Sequence, residues 1–199
     1  MKKLTLLSII LLISHLLIGQ SIFTVDESSK VTIKGTSTLH DWTSETQTIQ
    51  GTYSFIPEVV SKKFPTQGSI VNEAKLVIPV TSLKSERGDA MNNKTHNAFK
   101  FETNPEITFT VKSDQIKDVS KEGKFKLSLT GDLTMAGHTE NITLELDGER
   151  LSNNQLKFNG SKTLNMTTYE MEPPSAMFGQ IKTGDEVTIV FDLLLNSKG

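Results

Sequence analysis

The sequence predicts an all-β fold: about eight antiparallel strands, closed on themselves as a barrel or folded as a sandwich, with one short helix near residues 86–100. Three observations carry this. Apolar residues recur with a period of two along most of the chain after Ser21. Turn residues interrupt that pattern at short intervals, which suits hairpin connections rather than crossovers. Each strand is apolar on one side only, as in an antiparallel sheet with one buried face. A barrel leaves no edge open to strand addition, which suits an exported protein.

Strand signals begin at Ile22 to Val25 and Lys30 to Thr38. The segment Gly35 to Trp42 then turns a corner. It holds the only Trp and an adjacent His40-Asp41 pair, and the indole either closes an end of the β structure or lines a pocket inside it. A third strand runs over Thr46 to Phe55 and ends at Pro57. Residues 59–69, with Pro65 and Gly68, read as an irregular surface loop. Ala74, Leu76, Ile78 and Val80 mark a fourth strand, with Pro79 at its end, where a missing amide donor is tolerated.

The helix is expected between Ser85 and Phe101. Asp89 is its expected N-cap, Met91, Ala98 and Phe99 its apolar face, and Asn104-Pro105 its stop. Ile107, Phe109 and Val111 alternate next. The clearest pattern follows: Phe125, Leu127, Leu129, Gly131, Leu133 and Met135 take every odd position, with polar residues between them. Ala136 to Thr139 turn the chain, and Ile142, Leu144 and Leu146 return it. Leu156 and Phe158 open a strand running past Leu164 and Met166, and Val187, Ile189, Phe191 and Leu193 form the last.

Met1-Lys2-Lys3 and the apolar run from Leu4 to Ile18 have the form of a secretory signal peptide over residues 1–19. The run is shorter than the roughly 20 residues an apolar helix needs to span a bilayer, so no stable membrane anchor is expected. The absence of Cys removes both a lipidated-Cys anchor and disulfide staples. The remaining residues 20–199 suffice for one domain held by burial. Without Lys2 and Lys3, 19 Lys and Arg face 23 Asp and Glu, a formal charge of −4. No basic stripe exists, which argues against nucleic acid and against docking on anionic lipid headgroups.

Several stretches together resemble the YceI-like family of lipid- or polyisoprenoid-binding envelope proteins. They are Gly35 to Trp42, Ile78 to Leu83, Met91 to Phe109 with Asn104-Pro105 in it, Thr130 to Thr139, and Pro173 to Gly179 running into Gly184-Asp185-Glu186-Val187. Each alone is turn or strand chemistry; the ordered set spans most of the chain. The resemblance implies an eight-stranded lipocalin-like barrel, a periplasmic or secreted location, and an elongated cavity for an isoprenoid or fatty-acyl chain. The corner at Gly35 to Trp42 differs from the Ser-rich first strand of isoprenoid-binding members, so fold transfers while ligand identity does not.

On this reading the lining residues are Trp42, Leu76, Met91, Ala98, Phe99, Phe109, Leu129, Met135, Met166, Met177 and Phe178. Unbranched Met can reshape around different chains. Ala176-Met177-Phe178, an apolar triplet after two prolines, is expected to plug or line one end of the barrel. The alternative is a barrel filled by its own side chains, an envelope protein acting through an outer patch. His40, His96 and His138 lack metal-ligand spacing, and no Ser sits in a nucleophile elbow, so His40 and Asp41 read as a brace on corner backbone groups. The expected function is non-enzymatic sequestration or transport of an apolar single-chain lipid without a cofactor, and a homodimer is compatible with it.

Overall fold

The computed structural model describes residues 20–198. The signal peptide expected over residues 1–19 lies outside the described residues. Eleven strands form: β1 (Ser21–Val25), β2 (Lys30–Ser37), β3 (Trp42–Thr46), β4 (Gln50–Phe55), β5 (Val71–Pro79), β6 (Glu106–Lys117), β7 (Lys124–Met135), β8 (His138–Ser152), β9 (Gln155–Asn165), β10 (Ser175–Ala176) and β11 (Ile181–Ser197). One α-helix, α1 (Asp89–Ala98), interrupts them.

Eight staves close the barrel. β1 and β2 lie end to end along β11, pairing Val25 with Leu195 and Lys30 with Asp192, so they are two halves of one stave bent at residues 26–29. β3 and β4 are likewise halves of the next stave, pairing β2 and β1 respectively. The ring then runs through β5, β6, β7, β8 and β9 to β11, every neighbour antiparallel. Short β10 pairs the start of β11.

Side-chain alternation sets the register. On β7 the odd residues Phe125, Leu127, Leu133 and Met135 are buried inward, and Leu127 and Leu129 stand opposite Leu146 and Leu144 on β8. Slipping either strand by one residue would expel that whole set into water. The β7–β8 connection is the two-residue turn Ala136-Gly137, with φ of 54° and 87°; positive φ at both positions is the type I′ geometry that matches strand twist. β8 and β11 extend well beyond their apolar cores because their polar ends are carried by ladder pairing.

One end of the barrel is closed by aromatic rings. Phe23 meets Phe55 edge-on at 5.1 Å, Phe55 stacks on Phe158 at 6.3 Å, and Phe125 meets Phe158 edge-on at 6.0 Å. Residues 59–69 form the expected irregular and largely exposed loop, but it lies over this end: Val59 and neighbouring Ile70 are buried, and Phe64 packs on Phe125 at 5.2 Å. The Asp114 carboxylate accepts from the Ser69 hydroxyl and the Ile70 amide, anchoring the loop to β6.

The other end carries α1. Its N-cap is Gly88 rather than Asp89, which is the first helical residue, and it ends at Ala98, before Asn104-Pro105, with Lys100 at φ 53°. Its buried residues are Asn92, Thr95 and His96, so the expected Met91, Ala98 and Phe99 face is only part of the contact. Asn92 Oδ1 accepts the Ser85 amide at 2.7 Å, the Thr95 and Ser44 hydroxyls pair at 3.3 Å, and His96 Nε2 donates to the Leu83 carbonyl at 2.9 Å. These bonds satisfy the polar underside and fasten the helix to β3 and to residues 83–85. Among the described residues no helix is long and apolar enough to cross a membrane.

Candidate functional site

The inward faces of the staves do not meet. Between the aromatic end and the helical end lies a cavity with about 1080 Å³ of unfilled space, counting its mouths, of which about 100 Å³ admits the centre of a water-sized sphere. One water needs roughly 10–15 Å³ on that measure, so the interior is open rather than filled. The lining is apolar except at two positions, Tyr53 and Lys162. The Tyr53 hydroxyl donates to the Gln50 carbonyl at 2.9 Å, and burial holds its pKa far above the ordinary phenol value. An apolar chamber of this kind favours apolar guests over water.

A smaller cavity adjoins it under α1, with about 510 Å³ of unfilled space. Ile33, Phe99, Met135 and Ile189 line both. Trp42, Met91, Ala98, Met166 and Met171 belong to the smaller one alone. Trp42 is buried, its Nε1 donates to the Thr36 carbonyl at 3.1 Å, and it stands opposite Gly35 in the β2–β3 ladder. A Cβ on Gly35 would sit 2.3 Å from Trp42 Cζ2, so the absence of a side chain there lets the indole lie flat against β2.

Of the residues expected to line a cavity, Leu76, Phe99, Phe109, Leu129 and Met135 border the large chamber. Trp42, Met91, Ala98 and Met166, together with Phe99 and Met135, border the small one. Met177 and Phe178 border neither: they are 65% and 110% exposed on the turn before β11. Their positive φ values, 50° and 54°, belong to a turn that projects into solvent instead of folding inward. That turn is tied to the 37–41 corner, where the Thr38 amide donates to the Lys182 carbonyl, and exposed Leu39 lies in the same corner.

The corner is braced differently from expectation. The Ser37 hydroxyl donates to the His40 carbonyl at 2.8 Å, and Arg87 reaches across to His40 Nε2 at 2.7 Å and to the Asp41 carbonyl at 3.2 Å. Asp41 therefore contributes its backbone carbonyl, and Arg87, far away in sequence, completes the brace. His138 bonds the Glu140 carboxylate at 2.8 Å and lies edge-on to Tyr169. Burial first, then the charge of Glu140, pushes the Tyr169 hydroxyl up to about 12. Among the described residues no three His, Cys, Asp or Glu side chains gather as a metal site would require.

Met171, one of the unbranched Met side chains expected to line an adaptable site, borders the small cavity just after a 3-10 turn (Met166–Tyr169). One lining feature escaped sequence reading. Lys162 is signalled by parity alone, since on β9 it shares the inward face with Leu156, Phe158 and Leu164.

Residues 22–195 match the family described as the YceI-like domain. No protein with a curated function matches the chain. Among solved structures it is similar to BcnA of Burkholderia cenocepacia, with 21% identity, a TM-score of 0.63, and coverage of 86% of this chain and 99% of that one. A polyisoprenoid binding domain from Saccharophagus degradans, implicated in plant cell wall breakdown, aligns with 16% identity and a TM-score of 0.65 over 88% of this chain and 98% of that one. The Campylobacter jejuni YCEI protein aligns with 17% identity and a TM-score of 0.56, over 76% and 82%. These likenesses share the barrel. With the family match running almost from the first strand to the end of the last, the chain belongs to the YceI-like family.

Proposed function

We propose that the protein binds and carries, without catalysis, a single-chain apolar lipid of the polyisoprenoid or fatty-acyl type in the bacterial envelope, after export by a signal peptide at residues 1–19. The observation that carries this is the open, apolar chamber through the barrel. Each buried methylene contributes roughly 0.8 kcal/mol, so about ten of them contribute roughly 8 kcal/mol, enough to offset much of the cost of association. The polyisoprenoid binding domain that shares this barrel supports the ligand class. The residues assigned to the ligand are Leu76, Phe109, Leu129, Phe99 and Met135 in the large chamber and Trp42, Met91, Ala98 and Met166 beneath the helix.

Organic extraction of purified protein followed by mass spectrometry tests the assignment. A co-purifying single-chain lipid is expected, with added prenol or fatty acid raising the melting temperature by mass action. Preparations that carry no lipid and show no saturable binding of an acyl probe would overturn it. A second reading, an envelope protein acting through an outer patch, draws on exposed Leu39, Met177 and Phe178 at the helical end. It predicts no stabilisation by any chain, together with loss of partner binding on Phe178→Ser.

A further inference from the structure

We propose that the chamber is built for a single-chain amphiphile with an anionic head, whose carboxylate or phosphate oxygens pair with Lys162; this deepens, and rests on, the lipid-carrier reading above. Lys162 is the one charged residue in the lining of either cavity. It faces inward by strand parity, and it pairs across β11 with Ile189, which in turn pairs with Ile33; both of those isoleucines line the chamber.

Among the described residues no carboxylate lies within 4.0 Å of the Lys162 ammonium, whereas Lys157, the other lysine of β9, pairs with Asp192. Lys162 is half-buried and adds no polar surface to the chamber, so its stem lines the wall while its ammonium lies beyond it. Leu or Met would line the wall as well as this stem does, so what Lys162 adds is a charge at its tip for an anionic head to meet.

The wall opens at this point. The β8–β9 ladder ends at Leu146–Gly160, and beyond it β9 pairs with β11 only. Lys162 sits two residues past that end. Ile142 on β8 and Leu164 on β9, both half-buried, face the chamber on either side of the seam. A head group here touches water at the seam while its tail lies in the apolar chamber. Phe158, part of the aromatic floor, is four residues further along the strand, roughly 13 Å away at about 3.3 Å per residue, which leaves depth for a chain below the head.

The test uses delipidated protein and four probes of one chain length: palmitate, hexadecyl phosphate, hexadecanol and hexadecyltrimethylammonium. Palmitate and hexadecyl phosphate are expected to bind roughly tenfold or more tighter than hexadecanol, as a charged hydrogen bond contributes, with the cationic probe weakest. Lys162→Met keeps the apolar stem, and it should collapse the preference to within about twofold, while Lys162→Arg should retain it. Equal binding of palmitate and hexadecanol by the unmodified protein, or an anion preference that survives in Lys162→Met, overturns the assignment. If hexadecanol binds without an anion preference, only the head-group assignment falls. If no probe binds at all, the carrier reading falls and takes it along.

Discussion

Replacing Gly35 with Ala is the sharpest probe of the corner that opens onto the small cavity. The new Cβ would stand 2.3 Å from Trp42 Cζ2 and 2.6 Å from Cε2, distances that no real contact sustains, and a tight 3.0 Å from Nε1. The indole must therefore swing off β2. Overpacking of this kind costs about 1–3 kcal/mol, and loss of the Nε1 bond to the Thr36 carbonyl adds about 0.5–1.5 kcal/mol. The stiffer unfolded chain returns about 0.4–1 kcal/mol. The net expectation is destabilisation by about 2 kcal/mol, or roughly 4–8 °C in melting temperature for a chain of this size. Trp42 is the only Trp, so its emission reports the displacement directly and should shift to longer wavelength in the folded variant. Equilibrium denaturation read by that emission measures both quantities. A folded Gly35→Ala variant with unchanged emission and stability within about 0.5 kcal/mol would refute the close packing of indole on glycine.

Three further outcomes follow from the chamber and its walls. Ala74 lines the chamber and is half-buried, so Ala74→Phe should fill space and weaken binding of an acyl probe by about tenfold or more, with a stability change under about 1.5 kcal/mol; unchanged affinity would place the ligand elsewhere. At Gly148 a Cβ would meet Phe125 Cε2 at 2.2 Å, so Gly148→Ala should disturb the aromatic floor and cost about 1–3 kcal/mol by denaturant titration, a small effect arguing that the rings can slide. Tyr53 and Tyr169 are the only tyrosines, and both have raised pKa values in the fold. Above the ordinary phenol value the unfolded chain ionises while the folded one keeps its protons, so the tyrosines' contribution to stability should be constant below about pH 10 and be lost as pH rises from there toward about 12. Phenolate absorbance that developed near pH 10 in the folded protein would contradict this.

The barrel was largely legible because one-sided strands report their inward faces by parity. Phe125 to Met135 announced a stave, and Val187 to Leu193 another, with no knowledge of their partners. The same rule placed Leu76, Phe109, Leu129 and Met135 on the interior, and applied without exception on β9 it would have flagged Lys162. Outside the strands the reading weakened. The α1 contacts run through Asn92, Thr95 and His96, residues whose burial depends on partners at Ser44, Leu83 and Ser85. Residues 59–69 looked solvated, yet Val59 and Phe64 find the aromatic end of the barrel. Met177-Phe178 looked covered and projects outward.

Alternation of apolar and polar residues, set by the pleat, therefore determined from the sequence alone that this chain is an antiparallel β structure, barrel or sandwich, with an apolar interior; the pairing of β1 and β2 with β11 decided that it closes as a barrel. Whether that interior is filled or open could be decided only in three dimensions, because it depends on how far eight tilted staves hold their side chains apart. The tertiary structure also decided where the wall parts. The end of the β8–β9 ladder beside Lys162 is a property of two strands' relative course, and neither strand's sequence carries it.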